Sequence, residues 1–174
     1  MRNSKAIRLL CLFMLTIVLF CSCQQDDTPE GMKKISGDNV AYNFYVYTQW
    51  LVDEGVTNCA YYSATDRSNV TMTSYVPDQT FDTVQQFYQS CIETYKRDFE
   101  NFEVVEETTT KMDMFDAYLV TYTFTFGEKT YKVMQAMTLR GNIMYMFTYT
   151  SSPELFDSHH KEALDMLGVL KFAA

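Results

Sequence analysis

The stretch from Tyr131 to Phe172, YKVMQAMTLRGNIMYMFTYTSSPELFDSHHKEALDMLGVLKF, decides the fold. Its first half predicts two antiparallel strands, because two runs rich in apolar residues flank a Gly141-Asn142 turn of the kind that tight hairpins need. Its second half predicts a helix, with Ser151 and Glu154 as a capping box and Gly168 as the C-terminal stop. The stretch therefore predicts a hairpin that leads directly into a terminal helix.

The sequence before this stretch adds a third strand and a second helix. The segment 118–126 alternates in side-chain character, and Gly127-Glu128 fits a tight turn into the strand that begins at Tyr131. Further back, aromatic and aliphatic residues recur every three or four positions over 81–99, which predicts an amphipathic helix with Thr80 as its N-cap. These elements predict a three-stranded antiparallel meander between two helices.

Short strands complete the predicted domain at both ends. The chain order is strands, helix, strand meander and helix, without the alternation of strand and helix that parallel sheets require. Several strands carry apolar residues on both faces, so helices are expected on both faces of a mainly antiparallel sheet, as an α+β fold of the α/β/α sandwich type. The remaining predicted strands are 32–35, 42–47, 60–64, 70–76, 102–111 and a closing strand at 169–172.

The region from Met32 to Phe172 resembles the PsbP-like fold family and its bacterial lipoprotein branch of unassigned function. The resemblance rests on the opening segment YNFYVYTQW, which ends at Trp50, on the helix after the first strands, and on the closing stretch quoted above. The matching features are architectural, so the resemblance implies the PsbP-like fold and transfers no activity, cofactor or metal site.

The N-terminus has the pattern of a bacterial lipoprotein signal. Basic residues precede the apolar run 9–20, which as a helix would span about 18 Å, well short of the ~30 Å hydrocarbon core. The run ends in Leu-Phe-Cys-Ser-Cys, which resembles the lipobox and predicts lipid attachment at Cys23. We therefore expect a signal peptide at 1–22, a flexible tether at 23–31 after the lipidated cysteine, and one domain at 32–174.

Charge and cysteine content narrow the function classes. Removing the three basic residues of the leader changes the formal net charge from −8 to −11, which disfavours nucleic acid as a partner. Cys59 and Cys91 are then the cysteines left in the domain, and buried free thiols are favoured over a disulfide between them. No metal-ligand spacing, phosphate-binding loop or nucleophile motif is present, so neither a metal nor a cofactor is expected.

Two groups of polar residues are candidates for catalysis. His159 and His160 are the only histidines, and adjacent helix positions point about 100° apart, so they cannot chelate one ion. We expect His160 to pack at the sheet edge and His159 to be solvated. Asp113 and Asp116 are expected to be solvated loop acids. A hydrolase with an unrecognised site near the terminal helix remains an alternative.

Aromatic residues are the unusual feature of the composition, with 13 Tyr and 13 Phe. One explanation is cross-strand packing, which stabilises sheets by about 0.2–1 kcal/mol per pair. The other is a recognition face, since tyrosine is enriched at interfaces. The candidate binding surface comprises Trp50, Tyr45, Tyr47, Tyr61 and Tyr62.

Together these features predict a lipid-anchored protein on the extracytoplasmic face of the cell membrane. The expected role is a non-enzymatic binding or accessory module for a protein or cell-envelope partner, held at the membrane by its N-terminal lipid. A small-ligand carrier is a further alternative, and it requires a Tyr- and Met-lined cavity of roughly 300 Å³ or more between sheet and helix.

Overall fold

The computed structural model describes residues 28–173, and within that range the chain forms eleven strands and two helices. The predicted signal peptide at 1–22, the predicted lipid-bearing Cys23 and residues 24–27 of the predicted tether lie outside the described residues. The helices are α1 (Val84–Asp98) and α2 (Phe156–Val169). The strands are β1 (Met32–Lys34), β2 (Tyr42–Asn43), β3 (Tyr45–Tyr47), β4 (Leu51–Val52), β5 (Cys59–Tyr61), β6 (Asn69–Tyr75), β7 (Glu100–Met112), β8 (Phe115–Phe126), β9 (Lys129–Arg140), β10 (Ile143–Ser151) and β11 (Lys171–Phe172).

A seven-stranded sheet with the order β4-β5-β6-β10-β9-β8-β7 forms the middle layer, and every neighbouring pair in it is antiparallel. Helix α1 packs on one face of this sheet and helix α2 on the other. The predicted α+β architecture, with helices on both faces of a mainly antiparallel sheet, is confirmed.

Side chains that alternate along β10 divide the core into two clusters. Tyr145, Phe147 and Tyr149 point towards α2, and Met144 points towards α1. Both sets are buried, because each face of the sheet is covered by its own helix. The first half of the strand therefore lacks the polar outer face of a half-solvated sheet, as its sequence predicts, whereas Thr148 and Thr150 are half-exposed on the α1 side.

The meander of β8, β9 and β10 has its hairpin turns where the sequence predicts them. Gly127 and Gly141 occupy the two hairpin turns with φ of +62° each, a backbone conformation that glycine adopts without a steric penalty. The partner strand β7 is longer than predicted and forms one edge of the sheet. Two register irregularities interrupt β7, between Glu100 and Glu103 and between Val104 and Glu106.

The terminal strands attach separately from the main sheet. β1 pairs with β3 beside α2, and β11 pairs with β2. Asp113 secures β11 by accepting hydrogen bonds from the backbone N–H of Phe172 at 3.1 Å and from Lys171 Nζ at 3.0 Å. The expectation that Asp113 is a solvated loop acid is wrong, because its side chain is only 12% exposed and holds the closing strand.

Helix α1 begins three residues later than predicted. Its N-cap is Thr83 rather than Thr80, and Thr83 Oγ1 accepts a hydrogen bond from the Gln86 N–H. Gln86 Oε1 in turn accepts from the Thr83 N–H, which completes a capping box. The first residues of the predicted helix belong to the connection that enters it.

Helix α2 also begins and ends differently from the prediction. It begins at Phe156 after Leu155, which makes no side-chain capping bond, so the predicted box of Ser151 and Glu154 is wrong. Ser151 instead ends β10. Gly168 does not stop the helix, which continues through Val169.

Candidate functional site

An open cleft of about 510 Å³ lies at one end of the sheet, where β10 leaves for α2. Its centre is Ser151, the last residue of β10, whose strand pairs with β6 on one side and β9 on the other. Ser68, just before β6, joins this strand end through a hydroxyl contact of 2.7 Å between the two Oγ atoms. Three chain turns therefore meet around one strand end.

The side chains of the cleft are chemically mixed. Serine, threonine and tyrosine hydroxyls stand beside cationic and anionic groups and a few apolar side chains. Such a surface offers both hydrogen-bond donors and acceptors, as ligand sites with several convergent polar groups do. The lining residues are Asp66, Arg67, Ser68, Glu128, Lys129, Thr130, Tyr131, Ser151, Ser152, Pro153, Glu154 and Leu155.

The two cations of the cleft form no ion pair. Among the described residues, seven lysine and arginine side chains are paired with carboxylates, but Arg67 and Lys129 are not. The Arg67 guanidinium lies 3.9 Å from the centroid of the Tyr61 ring, which leaves its hydrogen-bond donors without a carboxylate partner. Lys33 and Arg140 are also outside any carboxylate pair in the described part of the chain, so Arg67 and Lys129 are distinguished by lining the same cleft.

Two of the three carboxylates in the cleft are already engaged. Asp66 accepts from the Ser68 N–H and contacts His159, and although burial opposes its ionisation, these bonds lower the pKa of Asp66. The pKa of Glu154 is lowered by its own backbone N–H and by the Ser152 hydroxyl. The charges available to a ligand are therefore mainly Arg67 and Lys129, with Glu128 opposing them.

Behind the cleft, His159 is held between two carboxylates. Its Nε2 lies 2.9 Å from Asp66 Oδ2, and its Nδ1 lies 3.5 Å from Glu162 Oε2. The Tyr62 ring covers the imidazole at a centroid distance of 3.8 Å, and the Trp50 ring meets its edge at 5.8 Å. We call Asp66, His159, Glu162, Trp50 and Tyr62 the His159 cluster.

The predicted orientation of the two histidines is reversed. His159 is the buried one, and His160 is half-exposed and stacks on Phe156. Both nitrogens of His159 face carboxylates and its ring is covered, so no nitrogen is free to take a proton from a substrate. The cluster is consequently arranged as an internal brace and lacks the geometry of a general base.

The His159 cluster also fastens the N-terminal part of the chain to α2. Glu162 accepts hydrogen bonds from Trp50 Nε1 at 2.8 Å and from Gln49 Nε2 at 3.0 Å. One turn further along, Asp165 accepts from the Tyr47 hydroxyl at 3.0 Å and from Lys161 Nζ at 2.7 Å. Carboxylates on α2 thus hold the last residue of β3 and the segment that follows it.

The predicted aromatic binding surface does not exist as one patch. Trp50 and Tyr45 are buried in the core, so their assignment to a surface is wrong. Tyr47, Tyr61 and Tyr62 are half-buried, and each contacts a different group: Asp165, Arg67 and His159. Only Tyr61 stands beside the cleft, through Arg67.

The remaining candidates are the two cysteines and an open groove beside α1. Cys59 and Cys91 are both free, and burial raises the pKa of Cys91 to about 11, so its thiol is unreactive at neutral pH. Cys91 lines an open groove of about 430 Å³ beside α1 together with Tyr75, Phe87 and Tyr95. That groove contains no methionine. Within residues 28–173, no group of three or more His, Cys, Asp or Glu side chains is placed to hold a metal ion.

The sequence did not predict that Arg67 and Lys129 line the same cleft. The two residues lie in separate turns, and no spacing rule connects them. Only the insertion of β10 between β6 and β9 brings their turns to the same sheet end.

The arrangement of sheet and helices defines an α+β protein of the PsbP-like fold. Its sequence is matched by the model of the DcrB family over residues 61–168, more than half of the chain. The chain therefore belongs to the DcrB family. No curated protein matches its sequence.

Solved structures share the fold at low sequence identity. PsbP (CyanoP) from Synechocystis sp. PCC 6803 has a TM-score of 0.56 and 10% identity, over 84% of this chain and 95% of that one. PA94 from Pseudomonas aeruginosa, a protein of unknown function and putative regulator, has a TM-score of 0.58 and 11% identity, over 79% and 94%. LpqN, involved in cell envelope biogenesis of Mycobacterium tuberculosis, has a TM-score of 0.55 and 11% identity, over 84% and 81%.

Within the described residues, neither helix is long and apolar enough to cross a membrane.

Proposed function

We propose that this protein is an envelope-associated accessory protein that holds a partner in the cleft between Arg67 and Lys129. It is tethered to the extracytoplasmic face of the membrane by lipid on Cys23. The observation that carries the proposal is the cleft itself, where two cations without carboxylate partners line a polar surface of about 510 Å³.

Two further facts support this role. LpqN, which shares the fold, is a protein of cell envelope biogenesis, so a PsbP-like domain serves the envelope in at least that case. The lipobox-like segment before Cys23 would direct the attachment of a diacylglyceryl group, which has two acyl chains, to that cysteine. Two acyl chains give stable membrane attachment, whereas one chain gives only reversible binding. In this proposal, the lipid anchor holds the domain at the membrane and the cleft binds the partner.

The cleft favours binding over catalysis. Asp66 connects it to His159, but both nitrogens of that ring already face carboxylates. The cleft hydroxyls of Ser68 and Ser151 bond to each other and have no free base beside them. We therefore assign the protein a non-enzymatic role.

The location is tested by replacing the proposed lipid-bearing residue. Cys23→Ala should move the protein from the membrane fraction to the soluble fraction, and Cys21→Ala is the matched control that should not. The measurement is immunoblotting of fractionated cells, with metabolic labelling by an alkyne fatty acid. Membrane retention of the Cys23→Ala protein, or an absence of label on the unchanged protein, would refute the anchor.

The cleft is tested by placing a photo-crosslinking amino acid at Thr130, which lines it. The same amino acid at Thr108, exposed on the distant edge strand β7, is the control. We expect crosslinked envelope material at position 130 and none at position 108. Equal crosslinking at both positions would show that the cleft is not the contact.

A further inference from the structure

The free groups of the cleft have a recognisable chemistry. Arg67 and Lys129 offer donors and positive charge, whereas Asp66 is occupied by Ser68 and His159. An arginine fork binds a carboxylate with two parallel hydrogen bonds, and a lysine adds a second cation. The cleft therefore has the charge to receive an acidic group.

The other lining residues favour a ligand that carries hydroxyl groups as well as an acidic group. Thr130, Tyr131 and Ser152 bring hydroxyls, and hydroxyls both donate and accept hydrogen bonds. Tyr131 is held in place by stacking on Phe124 at a centroid distance of 5.4 Å. Glu128 adds an acceptor and would repel a group that places two negative charges close together, as a phosphate dianion does. A ligand with many hydroxyls and one acidic group per unit fits this lining.

The size and shape of the cleft point the same way. Its volume of about 510 Å³ falls in the range of roughly 300–1,000 Å³ found for small-molecule sites. It is open at the surface, so a chain can enter and leave it without passing through a closed pocket. A fully apolar ligand would leave the charged groups of the cleft without partners.

We propose that the cleft binds an acidic saccharide, with the sugar carboxylate between Arg67 and Lys129 and the ring hydroxyls at Thr130, Tyr131 and Ser152. This inference rests on the proposed accessory function, because an envelope saccharide would be the partner that the anchored domain holds.

The test uses the full chain purified in neutral detergent and isothermal titration calorimetry. The probe is trigalacturonate, and the uncharged trimer of galactose is its matched control. We expect trigalacturonate to bind more tightly than the neutral trimer, and its affinity to fall as salt is raised from about 50 mM to about 500 mM. Loss of a charge-assisted hydrogen bond in Arg67→Gln or Lys129→Gln should weaken binding by about tenfold each.

Lys96→Gln is the control for the loss of one positive charge. Lys96 is exposed on α1 and pairs with Glu93, away from the cleft, so this variant should bind like the unchanged protein. Urea unfolding followed by the fluorescence of the single tryptophan, Trp50, checks that each variant is folded.

The following results would contradict the proposed ligand class. Equal binding of the two trimers, no binding of either, or a loss in Lys96→Gln as large as in Arg67→Gln overturns the ligand class. Crosslinking of position 130 to a protein, with no binding of trigalacturonate, also overturns it and leaves the accessory role standing. Release from the membrane tests the anchor separately, since Cys23→Ala does not alter the cleft.

Discussion

His159→Leu should destabilise the protein far more than the same change at its neighbour. His159 lies between Asp66 and Glu162, with side-chain exposures of 10%, 16% and 29% in that order. Removing His159 takes a hydrogen-bond partner from partly buried carboxylates, and leaving a buried hydrogen-bonding group unsatisfied costs about 1–3 kcal/mol, more when that group is charged. The leucine side chain supplies no hydrogen bond to the two carboxylates.

Hydrogen bonds that remain in the variant lower the free-energy cost of losing His159. Asp66 keeps the hydrogen bond from the Ser68 N–H, and Glu162 keeps those from Trp50 and Gln49. Both carboxylates are also partly in contact with water. We therefore expect the free energy of unfolding to fall by about 2–3 kcal/mol.

The assay is urea unfolding of the full chain in neutral detergent, followed by the fluorescence of Trp50, which touches the His159 ring. With an m value of about 2 kcal/mol/M, the midpoint should fall by about 1–1.5 M. His160→Leu is the matched control. His160 is half-exposed and stacks on Phe156, so its loss should cost less than about 1 kcal/mol.

A double-mutant cycle with Asp66→Asn separates the pair from its surroundings. Because the residues are in contact, the two changes should be non-additive by about 1–2 kcal/mol. His159 does not brace the fold if His159→Leu costs no more than His160→Leu, or if the effects of His159→Leu and Asp66→Asn simply add.

Two further predictions concern Asp113 and acid. Asp113→Ala should release β11, because it removes the acceptor for the Phe172 N–H and the Lys171 ammonium; we expect a cost of about 1–2 kcal/mol and faster hydrogen exchange at Phe172, and unchanged exchange there would contradict this. Although burial opposes ionisation, hydrogen bonds lower the pKa of Asp113 and of Asp66 in the folded state. Both carboxylates therefore stabilise the fold at pH values above their unfolded pKa of about 4. This stabilisation is lost as the pH falls through the lower pKa values of the folded state. Urea midpoints measured between about pH 6 and pH 2.5 should therefore decline towards acid, and less steeply in Asp113→Ala; identical profiles would rule out the role of Asp113.

Local sequence patterns predicted the meander and both helices because the responsible forces act between near neighbours. Gly127 and Gly141 take the positive φ values that their hairpin turns require, and the segment 118–126 pairs as its alternation indicates. The same patterns failed at the start of α2. Ser151, predicted to cap that helix, bonds to Ser68, a residue 83 positions earlier.

The two histidines show why a helical pattern could not identify the inner face in detail. Either neighbour is compatible with a stripe that includes Phe156 and Ala163, because both spacings occur on one helix face. His159 is the inner one, where Asp66 and Glu162 supply carboxylates on both sides of its ring. Those partners come from another turn and from the next turn of the helix.

The sequence by itself determined the class of fold and the order of its elements, because periodicity, turns and chain order are local properties of the chain. The tertiary structure alone decided the cleft, since sheet pairing places the turns of Arg67 and Lys129 on either side of the end of β10. It also decided that Trp50 is a buried brace and not a surface, because its indole N–H meets a carboxylate 112 residues away. Contacts over such separations depend on how the strands are ordered in the sheet, which no short pattern encodes.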